Sequence, residues 1–124
     1  MIQYDSTELA ALIKLGLAMA WADGKLEDVE RAAIFHEMAG FGVSDEDAKN
    51  LANEGDGMEF GEAITVLSKM TDEQKRYASG FLAAIMVCDQ NIDDAEVNLW
   101  QMICTFGNFP VMTLDEALSF WTKH

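Results

Sequence analysis

The feature that most limits the possible folds of this chain is an internal repeat. Residues 15–38 align with residues 81–104 at an offset of 66, and acidic and apolar positions coincide together. The matched acids are Asp23, Glu27 and Glu30 in the first copy and Asp89, Asp93 and Glu96 in the second. One residue further out of register, Phe41-Gly42 matches Phe106-Gly107. We therefore predict two related halves, approximately residues 9–53 and 75–122.

Both halves carry apolar residues at helical spacing, and no alternating strand pattern continues beyond a few residues. Thr7 and Ser44 are candidate helix caps, and Thr113 opens a capping box with Glu116. A second capping box runs from Thr71 to Gln74. The sequence predicts an all-α fold, a compact bundle of about six to seven helices made of two pseudo-symmetric halves.

Three finer expectations come from the same patterns. The first helix, from about Leu9 to Trp21, has apolar residues around much of its circumference, so we expect it to be central and buried. The stretch 53–57 is rich in Gly, Asn and Asp and is expected to be the most flexible loop. With 124 residues, of which half are apolar, the chain suits one domain spanning 1–124.

The net charge of −14 narrows the possible partners. A surface this negative repels phosphate backbones and anionic lipid, which argues against nucleic-acid binding and direct membrane insertion. From Tyr77 to Thr122 there is no Lys or Arg at all. The sequence favours cations or a protein partner with a basic surface, although acidity alone also serves solubility.

Several kinds of site lack support in the sequence. Cys88 and Cys104 have no C-x-x-C spacing and are expected to be small buried residues. Neither His36 nor His124 forms a Glu-x-x-His pair, and no nucleophile stands beside an identifiable base. We therefore predict no catalytic residues and no enzyme. The apolar run 9–22 lacks a basic n-region and is too short to span a bilayer, so the cytoplasm is the expected compartment.

The six repeated acids admit two explanations. Asp93 followed by Glu96 has the pattern of a helix start, in which Asp caps and Glu reaches back to the free amide. Asp23 and Asp89 are harder to explain in this way, because negative charge at a helix end opposes the helix dipole. If the halves pack by twofold symmetry, all six acids share one end of the bundle. All-oxygen ligands of this kind favour Ca²⁺ or Mg²⁺ over Zn²⁺.

The motif from Ala22 to Arg31, which ends an Ala-rich helix, resembles the signature of the tellurite-resistance TerB-like family. A weaker copy runs from Cys88 to Glu96 and is similar to the second motif of that family's duplicated layout. The resemblance implies a compact helical domain of bacterial or phage origin, linked to stress, tellurite or phage-defence systems. It implies no established catalytic activity.

In that family the acidic turns are proposed to bind metal, and the resemblance places this role on Asp23, Glu30, Asp89 and Glu96. This chain departs from the family pattern at Cys88-Asp89-Gln90, which stands in place of Ala-Asp-Gly, and at Glu27, where a short capping residue is usual.

We therefore carry two functional hypotheses. The first is a non-enzymatic regulatory or sensing module of a bacterial stress or tellurite-resistance-type system, with a divalent cation, Ca²⁺ or Mg²⁺, at the paired acidic turns. The second is a metal-independent acidic interaction module that docks a basic protein partner.

Overall fold

The computed structural model describes residues 2–22, 28–88 and 94–123. Within these ranges the chain forms seven α-helices and no strand, which confirms the all-α prediction. The helices are α1 Ser6–Ala20, α2 Asp28–Gly40, α3 Asp45–Asp56, α4 Phe60–Ser68, α5 Asp72–Val87, α6 Asp94–Phe106 and α7 Leu114–Lys123.

The centre of the bundle is the crossing of α1 and α5, which carry the largest share of the buried residues. They approach closely at Gly16, where an added Cβ would lie 3.0 Å from Ile85 Cδ1 and 3.5 Å from the ring of Phe81. The central, buried first helix expected from the sequence is therefore present. Trp21 at its end is an exception, because 53 % of this residue is exposed.

Side-chain caps define most helix starts. The cap of α1 is Asp5, not Thr7: the Asp5 carboxylate accepts from the amide of Glu8, and Glu8 accepts from the amide of Asp5. An ionised carboxylate is the stronger acceptor, so the reciprocal pair forms two residues before the predicted cap. The other predicted starts are confirmed at Ser44, Thr71 and Thr113.

The second helix of each half ends in the same way. The amides of Val43 and Phe109 donate to the carbonyls of Met38 and Cys104, at 3.1 and 2.9 Å. These are Schellman ends, in which one residue must adopt the left-handed conformation. That residue is Gly42 at φ 80° in the first half and Asn108 at φ 55° in the second.

This backbone equivalence corrects the predicted register. Gly42 and Asn108 are 66 residues apart, so the offset does not slip by one at Phe41-Gly42. The sequence match was misleading because it aligned glycine with glycine, whereas the left-handed position also accepts asparagine.

The two halves differ in the connection that comes after this helix end. After Val43 the cap of α3 comes at once, at Ser44, whereas three residues, Pro110 to Met112, separate Phe109 from the cap of α7. Lys75 holds this longer connection by donating from Nζ to the carbonyl of Asn108 at 3.1 Å.

The third helix of each half packs on the first through a glycine. On α3 it is Gly55, where a Cβ would lie 2.9 Å from the carbonyl of Ala10. In the second half the glycine is Gly80 on α5, where an added Cβ would overlap the carbonyl of Ala117 and the Cβ of Trp121 on α7. Because α3 continues to Asp56, the flexible loop predicted over 53–57 is wrong. Packing on α1 extends the helix through residues with weak helix propensity.

Glu37 joins the halves from the middle of α2. Its carboxylate accepts the hydroxyl of Tyr77 on α5 and the indole N–H of Trp121 on α7, the latter at 3.1 Å. Burial, together with the hydrogen bond to Glu37, raises the pKa of Tyr77 above its ordinary range. Tyr77 and Phe41 meet edge to face, with ring centroids 5.8 Å apart.

Candidate functional site: buried acids and an exposed apolar surface

Two of the six predicted site residues lie within the described ranges, and both are buried. Glu30 and Glu96 are the third residues of α2 and α6, and each is 1 % exposed. Their positions coincide at the offset of 66. Burial of a carboxylate at the same place in both halves distinguishes these two from the exposed acids Asp28 and Asp94 in the same helical turns.

A buried carboxylate requires compensation. Transferring an ionised carboxylate into an apolar interior is strongly unfavourable unless hydrogen bonds, a cation or a proton offset the lost hydration. A capping-box glutamate has no need of such burial, as Glu116 illustrates. Glu116 is exposed, and hydrogen bonds from Thr113 hold its pKa below the ordinary value. The burial of Glu30 and Glu96 therefore exceeds what capping alone requires.

The crossing of the central helices brings the two regions toward each other. α1 ends at Ala20, four residues beyond Gly16, and α5 ends at Val87, two beyond Ile85. At about 1.5 Å per residue, both helices end within roughly one turn of their crossing point. Each first helix also contacts the second helix of the other half, α1 with α6 and α5 with α2. Glu30 and Glu96 therefore lie in the first turns of two helices that each contact the central helix of the other half.

The remaining predicted site residues, Asp23, Glu27, Asp89 and Asp93, lie outside the described residues. Their roles as ligands or caps stay predictions. Across 2–22, 28–88 and 94–123 no group of three or more His, Cys, Asp or Glu side chains is arranged to hold a metal ion.

Trp21 was expected in the core but lines an open groove between α1, α2 and α3. The groove has an apolar floor that includes Leu17 and Ile34, and the cations Arg31 and Lys49 line it. The apolar period that predicted burial continues to Trp21, the cap residue at which α1 ends. Trp21 stands two residues before Asp23 and is therefore a natural fluorescent reporter for that acidic turn.

The second feature of functional interest is a group of exposed apolar residues in the second half of the chain. Met102 and Phe106 lie on α6, and Val111 lies in the connection that follows it. Phe106 is 67 % exposed and Val111 is fully exposed. A depression of about 530 Å³ separates α6 from the connection, with Trp100 and Phe109 among its lining residues.

The two cysteines are half-buried, where the sequence suggested full burial. Cys104 lies in the depression with its Sγ 3.6 Å from Ser79 Oγ, and burial raises the pKa of its thiol. The indole of Trp100 donates to the Ser79 carbonyl at 3.0 Å. A thiol with a raised pKa is a weak nucleophile, so this arrangement serves packing.

No helix in the described part of the chain is long and apolar enough to cross a bilayer.

Comparison with family models and with solved structures gave matches over most of the chain. The sequence model of the family described as "Tellurite resistance protein TerB" matches residues 8–110. A crystal structure of a protein of unknown function from Porphyromonas gingivalis W83 is 33 % identical, with a TM-score of 0.84. The similarity covers 98 % of this chain and 92 % of that one. A search of curated proteins gave no match.

Proposed function

The chain belongs to the TerB family, and from this premise we propose that it is a non-enzymatic cytoplasmic regulatory or sensing module of a bacterial stress or tellurite-resistance-type system. In this proposal its signal is a divalent cation, Ca²⁺ or Mg²⁺, held at the paired acidic turns. The observation that carries it is the burial of Glu30 and Glu96, each 1 % exposed at equivalent positions.

The donor set fits a hard cation. Glu30 and Glu96 supply carboxylate oxygens, and the predicted ligands Asp23, Glu27, Asp89 and Asp93 would supply more of the same kind. Oxygen-only sets suit Ca²⁺ and Mg²⁺, whereas Zn²⁺ prefers nitrogen and sulfur donors. A bound cation would offset the lost hydration of the buried carboxylates.

Thermal denaturation with added Ca²⁺ or Mg²⁺ tests this proposal. A ligand that binds only the native state raises the melting temperature through linkage, so millimolar divalent salt should produce a saturable increase. NaCl at matched ionic strength is the control, since it screens exposed charge without coordinating it. Emission from Trp21 and from Trp100, four residues after Glu96, should change over the same concentration range.

Two double variants locate the effect. Glu30→Gln with Glu96→Gln should abolish the saturable response while keeping the side-chain volume. Asp23→Asn with Asp89→Asn should abolish it as well, and should stabilise the metal-free protein by removing repulsion. Glu46→Gln with Glu62→Gln is the matched control, because both residues are exposed and the change in charge is the same. If the divalent salts stabilise no more than NaCl, the cation proposal is wrong.

A second candidate function is a metal-independent acidic interaction module that docks a basic protein partner. The exposed Phe106 and Val111 favour it, because they lie in a stretch, Tyr77 to Thr122, that carries acidic residues and no Lys or Arg, which suits a partner with a basic surface.

A further inference from the structure

We infer that the groove between α1, α2 and α3 is a binding site for a small organic acid, in which an apolar body carries one carboxylate. We name it the Trp21 groove, and its lining residues include Leu17, Trp21, Arg31, Phe35, Lys49 and Asp56. The inference goes beyond both candidate functions, because it needs neither a bound divalent cation nor a basic protein partner.

The size and the lining of the groove suit a small apolar body. Its volume is about 390 Å³, which lies within the range of roughly 300–1,000 Å³ that is typical of small-molecule pockets. Ile13, Leu17 and Trp21 all line it, and because they are four residues apart they form one apolar stripe along α1. Phe35 adds a second aromatic ring from α2. A ligand in the groove would cover part of Trp21, which is 53 % exposed without it.

Charge selects the polar group of the ligand. The chain has 8 Lys and Arg against 22 Asp and Glu, yet two cations, Arg31 and Lys49, line this groove against one carboxylate, Asp56. Neither cation forms an ion pair with another residue of the described ranges. An excess of positive charge beside an apolar wall attracts an anion, and a guanidinium can donate two parallel hydrogen bonds to one carboxylate.

The second half of the chain shows that the bundle does not need these cations. Its depression of about 530 Å³ is the counterpart of the groove. Three lining residues correspond at the offset of 66, namely Ile13 with Ser79, Ile34 with Trp100 and Phe35 with Gln101.

The two sites differ in charge. Among the described residues that line the second one, none is charged. The residue equivalent to Arg31 is Val97, and the residue equivalent to Lys49, counted from the helix caps, is Leu118. Both Val97 and Leu118 pack against the core. The same architecture therefore places apolar packing residues in one half and unpaired cations beside an open groove in the other.

The experiment uses the full chain with a chelator present, so that no bound cation can recruit the ligand. The probe is phenylbutyrate, and its control is phenylbutyramide, which has the same apolar body without the charge. Tryptophan emission measures the two dissociation constants, and amide chemical shifts locate the contact. We expect the acid to bind at least about ten times more tightly than the amide. It should shift amides that line the groove, and Trp21→Phe should remove the change in emission.

Charge variants test the cations one at a time. Arg31→Gln and Lys49→Gln should each weaken binding of phenylbutyrate about fivefold and leave binding of phenylbutyramide unchanged. Asp56→Asn removes the opposing charge and should tighten binding of the acid. Lys69→Gln is the matched control, because Lys69 is an exposed cation at the end of α4 and the change in charge is the same.

A filled groove tests the apolar wall. Ala52 is half-buried and lines the groove, so the side chain of Ala52→Leu would occupy the space of the ligand. This variant keeps the charge and should weaken binding of the acid and of the amide alike. Ala39→Leu, at an exposed position of α2 outside the groove, is the control and should bind as the parent does. Thermal denaturation checks that both variants fold.

Several outcomes would overturn the inference. If the acid and the amide bind equally, the cations do not select the ligand. If Lys69→Gln weakens binding as much as Arg31→Gln, or if Ala52→Leu has no effect, the acid does not occupy the groove. If phenylbutyrate fails to bind at millimolar concentration while an acidic amphipathic peptide binds and shifts the same amides, the groove takes a protein segment instead. None of these results depends on the response to Ca²⁺ or Mg²⁺, so the cation proposal is tested separately.

Discussion

α2 and α6 start and end at equivalent positions and bury the same acid, yet they expose different residues. Both place a glutamate at the third helical position, 1 % exposed, and both end with a left-handed residue. Their outer positions differ, with His36 and Gly40 on one and Met102 and Phe106 on the other. The acid that the helices share is buried, and the residues that distinguish them lie on the surface. We relate the shared interior to the cation and the different exterior to a partner.

The largest expected effect is at the glycine contacts of the third helices. Gly80→Ala should cost about 3 kcal/mol in unfolding free energy, because its Cβ would overlap the backbone of Ala117 and the Cβ of Trp121. Gly55→Ala should cost about 1 kcal/mol, since 2.9 Å from the Ala10 carbonyl is a milder overlap and alanine favours the helix. Urea denaturation measures both changes.

Gly61→Ala is the control for these substitutions, because nothing lies within 4 Å of its added Cβ. It should stabilise by up to about 1 kcal/mol. Equal costs at Gly80 and Gly55 would show that the two halves pack their third helices alike.

The next effect concerns the link between the halves. Glu37→Ala leaves the Tyr77 hydroxyl and the Trp121 indole N–H without their acceptor, and should cost about 2 kcal/mol. Glu37→Gln keeps one acceptor oxygen and should cost less. Thermal denaturation ranks the two variants against Glu62→Ala on the exposed face of α4. If Glu37→Ala has the same melting temperature as Glu62→Ala, the two halves are held together by apolar packing alone.

A smaller effect tests the shared helix ends. Gly42→Ala should cost about 1 kcal/mol, because a side chain other than that of Gly or Asn is strained at φ 80°. Gly42→Asn should be tolerated better, and Asn108→Gly should be neutral or slightly stabilising. Denaturant midpoints measure all three. A neutral Gly42→Ala would contradict the equivalence of the two ends.

An effect of similar or smaller size is expected at the predicted caps Glu27 and Asp93. Asp is the better cap, so Asp93→Ala should cost about 1 kcal/mol, while Glu27→Ser should be neutral or slightly stabilising. The reverse ranking in urea denaturation would mean that these acids do not act as caps.

Much of the fold was predictable because it depends on local signals. Helical spacing indicated the all-α class, and the caps at Ser44, Thr71 and Thr113 marked three helix starts. Errors arose where tertiary contacts outweigh local preference. Packing on α1 keeps the Gly-rich end of α3 helical, and Trp21 lies in an open groove between α1, α2 and α3 instead of the core.

The site was less predictable. The repeat identified Glu30 and Glu96 as candidates, but periodicity could not show that they are buried, since their position also suits an exposed capping box. Met102 and Phe106 lie at apolar positions of α6, and apolar spacing alone could not show that both are exposed. The usable signal was the repeat itself, which pairs them with His36 and Gly40.

The most direct test is a calorimetric titration with Ca²⁺, which measures the dissociation constant of the parent protein and of the single variants Glu30→Gln and Glu96→Gln. If the equivalent buried carboxylates serve the same cation-binding region, each substitution should weaken binding by a similar factor of at least about ten. Glu62→Gln, which changes an exposed acid, should bind as the parent does. A parent that shows no saturable heat, or single variants that both bind like the parent, would contradict the account.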